Sequence, residues 1–295
     1  MSFELKQILK TKAINEWSLF SLIAGAVSIV VVTAMLRTDL SSGEGVSSMI
    51  QMAVRCAIPL LYVAFAASSI RMLFPGPFGL WLLRNRKYIG LSFAAAMAWQ
   101  LLFILWLTGV HTDYYLKEVY VLRDAIEGVI GYSFLIAMTI TSFKFGRKHL
   151  SPKQWKLLHK IGIYSLWIYA FGVYWWALYY YPDPLFIDYV YYWGGFLAWG
   201  LRAAAWRKKR RQQEQKKDPR SSTPPVFMLA GNVTIMIGLI VIGTGLVWAK
   251  PTMDILSGYA VTRLPELYLP YWPFEPYLPI FLIALGALLT TKSRA

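Results

Sequence analysis

The chain has 295 residues, of which 57% are hydrophobic and 16% aromatic, and its formal net charge is +15. A soluble domain of this length needs more polar surface, so the composition excludes an ordinary soluble fold. The basic residues cluster between apolar runs and not on one domain, which argues against nucleic-acid binding. The single cysteine, Cys56, excludes a disulfide within the chain and a CxxC motif.

Apolar runs of about 20 residues recur along the chain, and each is long enough to cross the roughly 30 Å hydrocarbon core of a bilayer. A β-barrel would show shorter alternating segments, which are absent from the sequence. We therefore predict an all-α, polytopic membrane helical bundle with about eight transmembrane helices. The predicted spans, in chain order, are 17–36, 49–70, 88–109, 124–143, 158–180, 187–205, 226–249 and 277–291.

Lysines and arginines are unevenly shared between the connections of these spans. If the N-terminus is cytoplasmic, 24 of the 30 fall on the cytoplasmic side and five on the opposite side, with Arg55 inside a span. Cytoplasmic loops are enriched in Lys and Arg, so this asymmetry predicts that both termini lie in the cytoplasm.

A basic stretch, RKKRRQQEQKKDPRSSTPP (207–225), predicts a cytoplasmic linker between a six-helix unit (1–206) and a C-terminal two-helix hairpin (226–295). Such a linker either docks an anionic lipid or acidic partner, or is a solvated loop that enforces topology. The loop 250–276 is rich in proline and aromatic residues. It is expected to be periplasmic, as an extended segment on the membrane or a partner, or as an interfacial anchor.

Ionisable groups inside predicted spans are candidates for function. Arg55 and Glu127 lie at similar depths in the second and fourth spans, which predicts a structural ion pair, with a substrate or quinone contact as the alternative.

The third span carries two features of its own. Gly90, Ala94 and Ala98 form a small-residue stripe that suits a closely packed helix or a flat cofactor. Gln100, near the middle of the same span, needs a hydrogen-bond partner or a ligand.

His159 lies where a basic loop turns into the fifth span. Ser151, Pro152 and Gln154 match the N-cap, first and third positions of a helix. His159 would then lie about two turns, or ~10 Å, into that helix, as an interfacial hydrogen-bonded residue or a ligand. His111 and His149 are expected in or next to loops. The sequence contains no HExxH, GxSxG, P-loop or GxGxxG motif.

Aromatic residues are dense in the fifth and sixth spans. They are expected to form an interfacial belt with internal packing, or to line a cofactor or quinone pocket or relay electrons. Those that continue down the fifth span are Tyr164, Trp167, Tyr169, Tyr174 and Trp175.

Three segments resemble the ferric-reductase-like transmembrane family, in particular its branch of heme-binding membrane subunits of bacterial methionine-sulfoxide reductase systems. LLRNRKYIGLSFAAAMAWQ (82–100) resembles the family's basic-loop-to-helix signature. TSFKFGRKHLSPKQWKLLHKIGIY (141–164) is similar to its fourth-to-fifth helix connection, and MAVRCAIPLL (52–61) to its second helix. The resemblance covers roughly residues 15–206.

The resemblance implies b-type heme held between helices that match the third and fifth spans, with electrons crossing the membrane through it. Of the ligand positions it implies, one matches His159 and one matches Gln100. His111 is out of register with a third, and the fourth falls at Gly172. The implied site is therefore a heme iron held by His159, with Gln100 as a second cofactor-binding residue. A quinone and a flavin are the other candidate cofactors.

Two functional hypotheses follow. In the first, the protein belongs to the bacterial inner membrane and transfers electrons there with a separate redox partner, through a reduced or lost heme site. In the second, it is a non-catalytic accessory subunit that organises other membrane subunits. In both, membrane lipids are partners.

Overall fold

The computed structural model describes residues 7–180, 183–217, 223–245, 247–248 and 277–291, and regular secondary structure in these ranges is helical. Short turns of helix connect longer ones. The long helices, in chain order, are α1 (Glu16–Met35), α2 (Gly43–Leu73), α3 (Pro77–Val110), α4 (Leu122–Ile140), α5 (Pro152–Tyr180), α6 (Phe186–Lys217), α7 (Pro225–Gly243) and α8 (Tyr277–Leu289).

Five of the described helices, α1, α2, α3, α5 and α7, are long and apolar enough to cross a membrane. The prediction of an all-helical, multi-pass membrane protein is confirmed at this level. The other three coincide with predicted spans but differ in character: α4 has three charged residues among its first six, α6 ends in a basic stretch, and α8 is short. The count of eight spans stays a prediction.

Several helices extend beyond the predicted spans, because helical hydrogen bonding continues outside the apolar run. α5 starts at Pro152, six residues before the predicted span, and its first turn is closed by a capping box. The amide of Ser151 donates to Gln154 Oε1 at 2.9 Å, and the amide of Gln154 donates to Ser151 Oγ at 3.2 Å. The helix start predicted from Ser151, Pro152 and Gln154 is therefore confirmed.

The first three helices pack as neighbours that run up, down and up. One buried cluster joins Leu19 of α1 to Ala64 of α2 and Leu82 of α3. At the opposite end, Val31, Met49 and Phe103 form a second cluster from the same three helices. Two apolar layers thus hold this sub-bundle together at both ends.

The chain divides into two compact units. The first comprises residues 1–171 with 193–198, and the second 172–192 with 199–295. The division falls inside α5 and α6, and the predicted boundary at the linker 207–225 stays a prediction. α6 continues to Lys217, so residues 207–217 are helical, whereas residues 218–222 and the predicted loop 250–276 lie outside the described residues.

Within the second unit, α7 and α8 pack closely through glycines. A Cβ on Gly231 would lie 2.6 Å from the carbonyl oxygen of Gly286, and one on Gly238 would lie 3.0 Å from that of Pro279. The basic end of α6 also contacts this pair, because Arg211 Nη2 donates to the carbonyl of Thr290 at 3.2 Å. A guanidinium at the C-terminal end of α8 complements the negative end of the helix dipole.

Candidate functional site at the junction of α4 and α5

His159 lies two turns into α5, as predicted from the helix start. Its Nε2 is 3.0 Å from Thr141 Oγ1, at the C-terminal cap of α4. The Thr141 hydroxyl donates to the carbonyl of Ala137 at 2.7 Å. If the Thr141 hydroxyl donates to Ala137, the imidazole is the donor in the bond to Thr141 and Nε2 carries a hydrogen; in the other tautomer Nε2 accepts from the hydroxyl. In either tautomer the bond to Thr141 occupies Nε2, so a metal there would have to displace it.

Trp155 and Arg147 complete the surroundings of this histidine. The Trp155 ring centroid is 4.4 Å from that of His159, and Trp155 Nε1 donates to the carbonyl of Thr141 at 3.1 Å. The guanidinium carbon of Arg147 lies 4.1 Å from the Trp155 ring centroid, at cation–π distance. We name the set Thr141, Arg147, Trp155 and His159 the α4–α5 corner, since its contacts join the end of one helix to the start of the next.

Gln100 finds its partner on a different part of α4. Its Oε1 accepts a hydrogen bond from the Tyr132 hydroxyl at 2.8 Å, and that hydroxyl also lies 3.1 Å from the carbonyl oxygen of Met97. A mid-span amide is expected to be satisfied by a hydrogen bond or a ligand, and here Tyr132 satisfies its oxygen. The bond ties α3 to α4.

The structure does not bring His159 and Gln100 together. Their partners, Thr141 and Tyr132, are nine residues apart in sequence, which corresponds to ~13 Å along a helix axis. Two axial ligands of one iron would lie only about 4 Å apart, given metal–nitrogen bonds of about 2 Å. The residues present do not fit a heme iron held between these two side chains, and the assignment of either as a cofactor ligand stays a prediction.

The other two histidines lie at the end of α3 and in the turn before α5. His111 is the C-cap of α3, and its buried Nε2 has no hydrogen-bond partner among the described residues. His149 is exposed in the turn before α5. Within the described ranges, no group of three or more His, Cys, Asp or Glu side chains could hold a metal ion.

Glu127 has a partner within its own helix. Its Oε1 lies 3.9 Å from Arg123 Nε, one turn earlier on α4, while Arg123 Nη2 pairs with Asp124 at 2.8 Å. Arg55 is half-buried on α2. The predicted pair between Arg55 and Glu127 stays a prediction.

The small-residue stripe of α3 is open at both ends, whereas Ala94 at its centre is half-buried. A Cβ on Gly90 would meet nothing within 4 Å, and Ala98 is exposed. The buried side of this helix instead carries Ser92, Ala96 and Phe103. The use of the stripe by another helix or a flat cofactor stays a prediction.

Aromatic residues of α5 pack into the interior of the first unit. Trp167 stacks between Phe65 of α2 and Phe171, with ring centroids 5.5 and 5.2 Å apart, and all three are buried. Trp167 Nε1 donates to the carbonyl of Gly195 at 2.9 Å. These rings fill space against one another, as expected for aromatic packing.

Sequence reasoning missed the residues that satisfy the candidate ligands. Thr141 and Tyr132 lie on the predicted fourth span, where a threonine and a tyrosine are ordinary residues. Asn85, which is completely buried, was also missed. An asparagine between basic residues is typical of an exposed loop, so no local pattern indicated that Asn85 is buried.

Comparison of the chain with models of known protein families, with curated proteins and with solved structures finds no match.

Proposed function

We propose that the protein is a non-catalytic, multi-pass subunit of a bacterial inner-membrane complex, with eight spans and both termini in the cytoplasm. The scaffold resembles the ferric-reductase-like transmembrane family, and in this proposal its heme site has been lost. The observation that carries the proposal is the use of His159 and Gln100 in hydrogen bonds between helices.

The alternative is an electron-transfer subunit with a heme on His159. That arrangement requires the imidazole to leave Thr141, or to coordinate through Nδ1 beside the Trp155 ring. A single imidazole ligand would also leave the second axial position open, which suits ligand binding better than outer-sphere electron transfer.

Absorbance of the purified full chain tests the proposal. Expressed in heme-replete cells and purified in mild detergent, the protein should show no stoichiometric Soret band. A band that disappears in His159→Ala but persists in the neighbouring Lys160→Ala would contradict the proposal and support the redox alternative.

The native size of the protein tests the second part of the proposal. Blue-native electrophoresis of solubilised native membranes should place the chain in an assembly much larger than its 33.7 kDa mass plus bound detergent. A monodisperse monomer with reductase activity would rule out the accessory role.

A further inference from the structure

An open surface pocket of about 400 Å³ lies in the first unit, where the segment before α1 meets the start of α3. We name it the N-terminal cavity. Its lining includes Lys10, Lys12, Glu16, Trp17, Ser18 and Arg84.

Positive charge in this cavity is only partly compensated. Lys10 and Lys12 are exposed, and neither has a carboxylate within ion-pairing distance among the described residues. Arg84 Nη2 donates to two neutral oxygens, the Leu9 carbonyl at 3.1 Å and Asn15 Oδ1 at 2.6 Å. Against three cations there is one carboxylate, that of Glu16, so the lining has a net charge of about +2 and attracts an anion.

The walls of the cavity are fixed by a buried hydrogen-bond network. Asn85 Oδ1 accepts from the amide of Glu16 at 2.9 Å, and Asn85 Nδ2 donates to Asn15 Oδ1 at 2.9 Å. Trp81 Nε1 donates to the carbonyl of Ile14 at 2.9 Å. These bonds clamp the segment before α1 onto α3, so the cations are presented by a frame with little freedom.

Glu16 itself has a strained backbone. Its φ of 56° is the one positive value found among the described non-glycine residues. This conformation is unfavourable for any residue with a side chain, and it persists only where the surroundings impose it. The hydrogen bond that the Glu16 amide donates to Asn85 Oδ1 supplies that constraint at the edge of the cavity.

The outer face of α1 leads away from the cavity as an exposed apolar surface. Ser18, Leu22, Gly25 and Ile29 are all exposed and recur at the spacing of one helical face. The side chain of Leu22 is 58% exposed and that of Ile29 is 68% exposed. A ligand with a phosphate in the cavity and a hydrocarbon chain along α1 would match both surfaces.

We propose that the N-terminal cavity binds the phosphate of an anionic membrane lipid. Lys10 and Lys12 supply point charges to the phosphate, and Arg84 closes one side. The amides of Trp17 and Ser18 and the Ser18 hydroxyl are further donors, whereas the Glu16 amide is held by Asn85. Basic pockets between the cytoplasmic ends of membrane helices recognise anionic headgroups in this way. The inference rests on the placement of α1 in a membrane and is independent of whether the protein is an accessory or a redox subunit.

Native mass spectrometry of the full chain tests the proposal, with phosphatidylglycerol and phosphatidylcholine of identical acyl chains as probes. Phosphatidylglycerol should bind preferentially. The double variant Lys10→Gln/Lys12→Gln should weaken its binding about 25-fold, because each lysine near an anionic headgroup contributes roughly fivefold. Glu16→Gln should strengthen binding several-fold, since it removes the opposing charge while keeping the backbone.

The matched control is Lys153→Gln/Lys156→Gln, which removes two exposed lysines from the start of α5. It should change binding less than twofold. Equal losses in the two double variants, or equal binding of the two lipids, would overturn the proposal. Titration of the lipid-depleted protein with inorganic phosphate distinguishes a lipid from a free anion. If phosphate bound saturably and phosphatidylglycerol showed no preference, the ligand would be a free anion and the lipid assignment would be overturned.

Discussion

At the scale of single residues, a few polar side chains join neighbouring helices through the apolar interior. His159 bonds to Thr141 from α5 to α4, and Gln100 bonds to Tyr132 from α3 to α4. Each such bond satisfies a group that would otherwise be costly to bury. The polar side-chain atoms that made His159 and Gln100 ligand candidates are thus used in hydrogen bonds between helices.

Replacing Thr141 with valine tests the weight of one such bond. The change removes the hydrogen-bond partner of His159 Nε2 while preserving shape, and we expect the free energy of unfolding to fall by about 1–2 kcal/mol. Thr141→Ser retains the hydroxyl and should lose less than half of that. Equilibrium unfolding in mixed micelles with a denaturing detergent measures both, and equal losses would show that the hydroxyl contributes nothing.

Asn85 has a larger effect because it makes several bonds from a fully buried position. Asn85→Ala leaves the amide of Glu16 and Asn15 Oδ1 without this partner, and we expect a loss of about 3 kcal/mol. The segment before α1 should also loosen, so that trypsin cleaves faster at Lys10 and Lys12. Asn232→Ala is the control, since Asn232 is exposed and accepts from Arg207. Unchanged cleavage in Asn85→Ala would contradict the clamping role.

At the scale of helices, close approach depends on small residues at particular turns. Gly231 and Gly238 are seven residues apart on α7 and therefore share a face, which lies against α8. On α4 and α5, Gly162 lies against the Met138 side chain, which would have to shift to admit a Cβ. Gly90, by contrast, has open space around it, so a small residue alone does not mark a contact.

Gly231→Leu should force α7 and α8 apart, because its Cβ would overlap the backbone of Gly286 and Thr290. We expect a loss of about 1–3 kcal/mol in the free energy of unfolding, the usual range for overpacking. Gly243→Leu is the matched control, since a Cβ at Gly243 meets nothing within 4 Å. If both variants lost the same stability, the hairpin would not depend on the glycine contact.

At the scale of the whole molecule, the number of crossings decides the topology. α4 is the critical helix, because Arg123, Asp124 and Glu127 lie within its 19 residues and it is not among the five helices that are long and apolar enough to cross, while its position matches a predicted span. If α4 crosses, the connections before and after it lie on opposite sides of the membrane.

Cysteine labelling of intact cells tests the proposed topology. In a Cys56→Ser background, Ser41→Cys and Tyr120→Cys should react with an impermeant maleimide from outside, as expected for periplasmic connections. Gly76→Cys and His149→Cys should react only after the membrane is permeabilised. Labelling of His149→Cys and Tyr120→Cys from the same side would show that α4 does not cross.

Hydropathy and local signals in the sequence were sufficient for the membrane class, the approximate positions of the helices and the start of α5 at Pro152. These features depend on contiguous residues, because a span needs an uninterrupted apolar run and a cap needs side chains three residues apart. The predicted span for α1 matches the helix to within one residue, whereas α2 and α3 extend well beyond their predicted spans because a helix continues past the apolar run.

The partners of the polar residues were decided only by the tertiary structure. His159 and Thr141 are 18 residues apart, Gln100 and Tyr132 are 32 apart, and Asn15 and Asn85 are 70 apart. No pattern along the chain encodes which helix faces which, because that follows from the packing of whole helices. The sequence alone therefore presented His159 as a ligand candidate. In the tertiary structure its partner is Thr141, because the C-terminal end of α4 lies beside the second turn of α5 and places the Thr141 hydroxyl next to the imidazole.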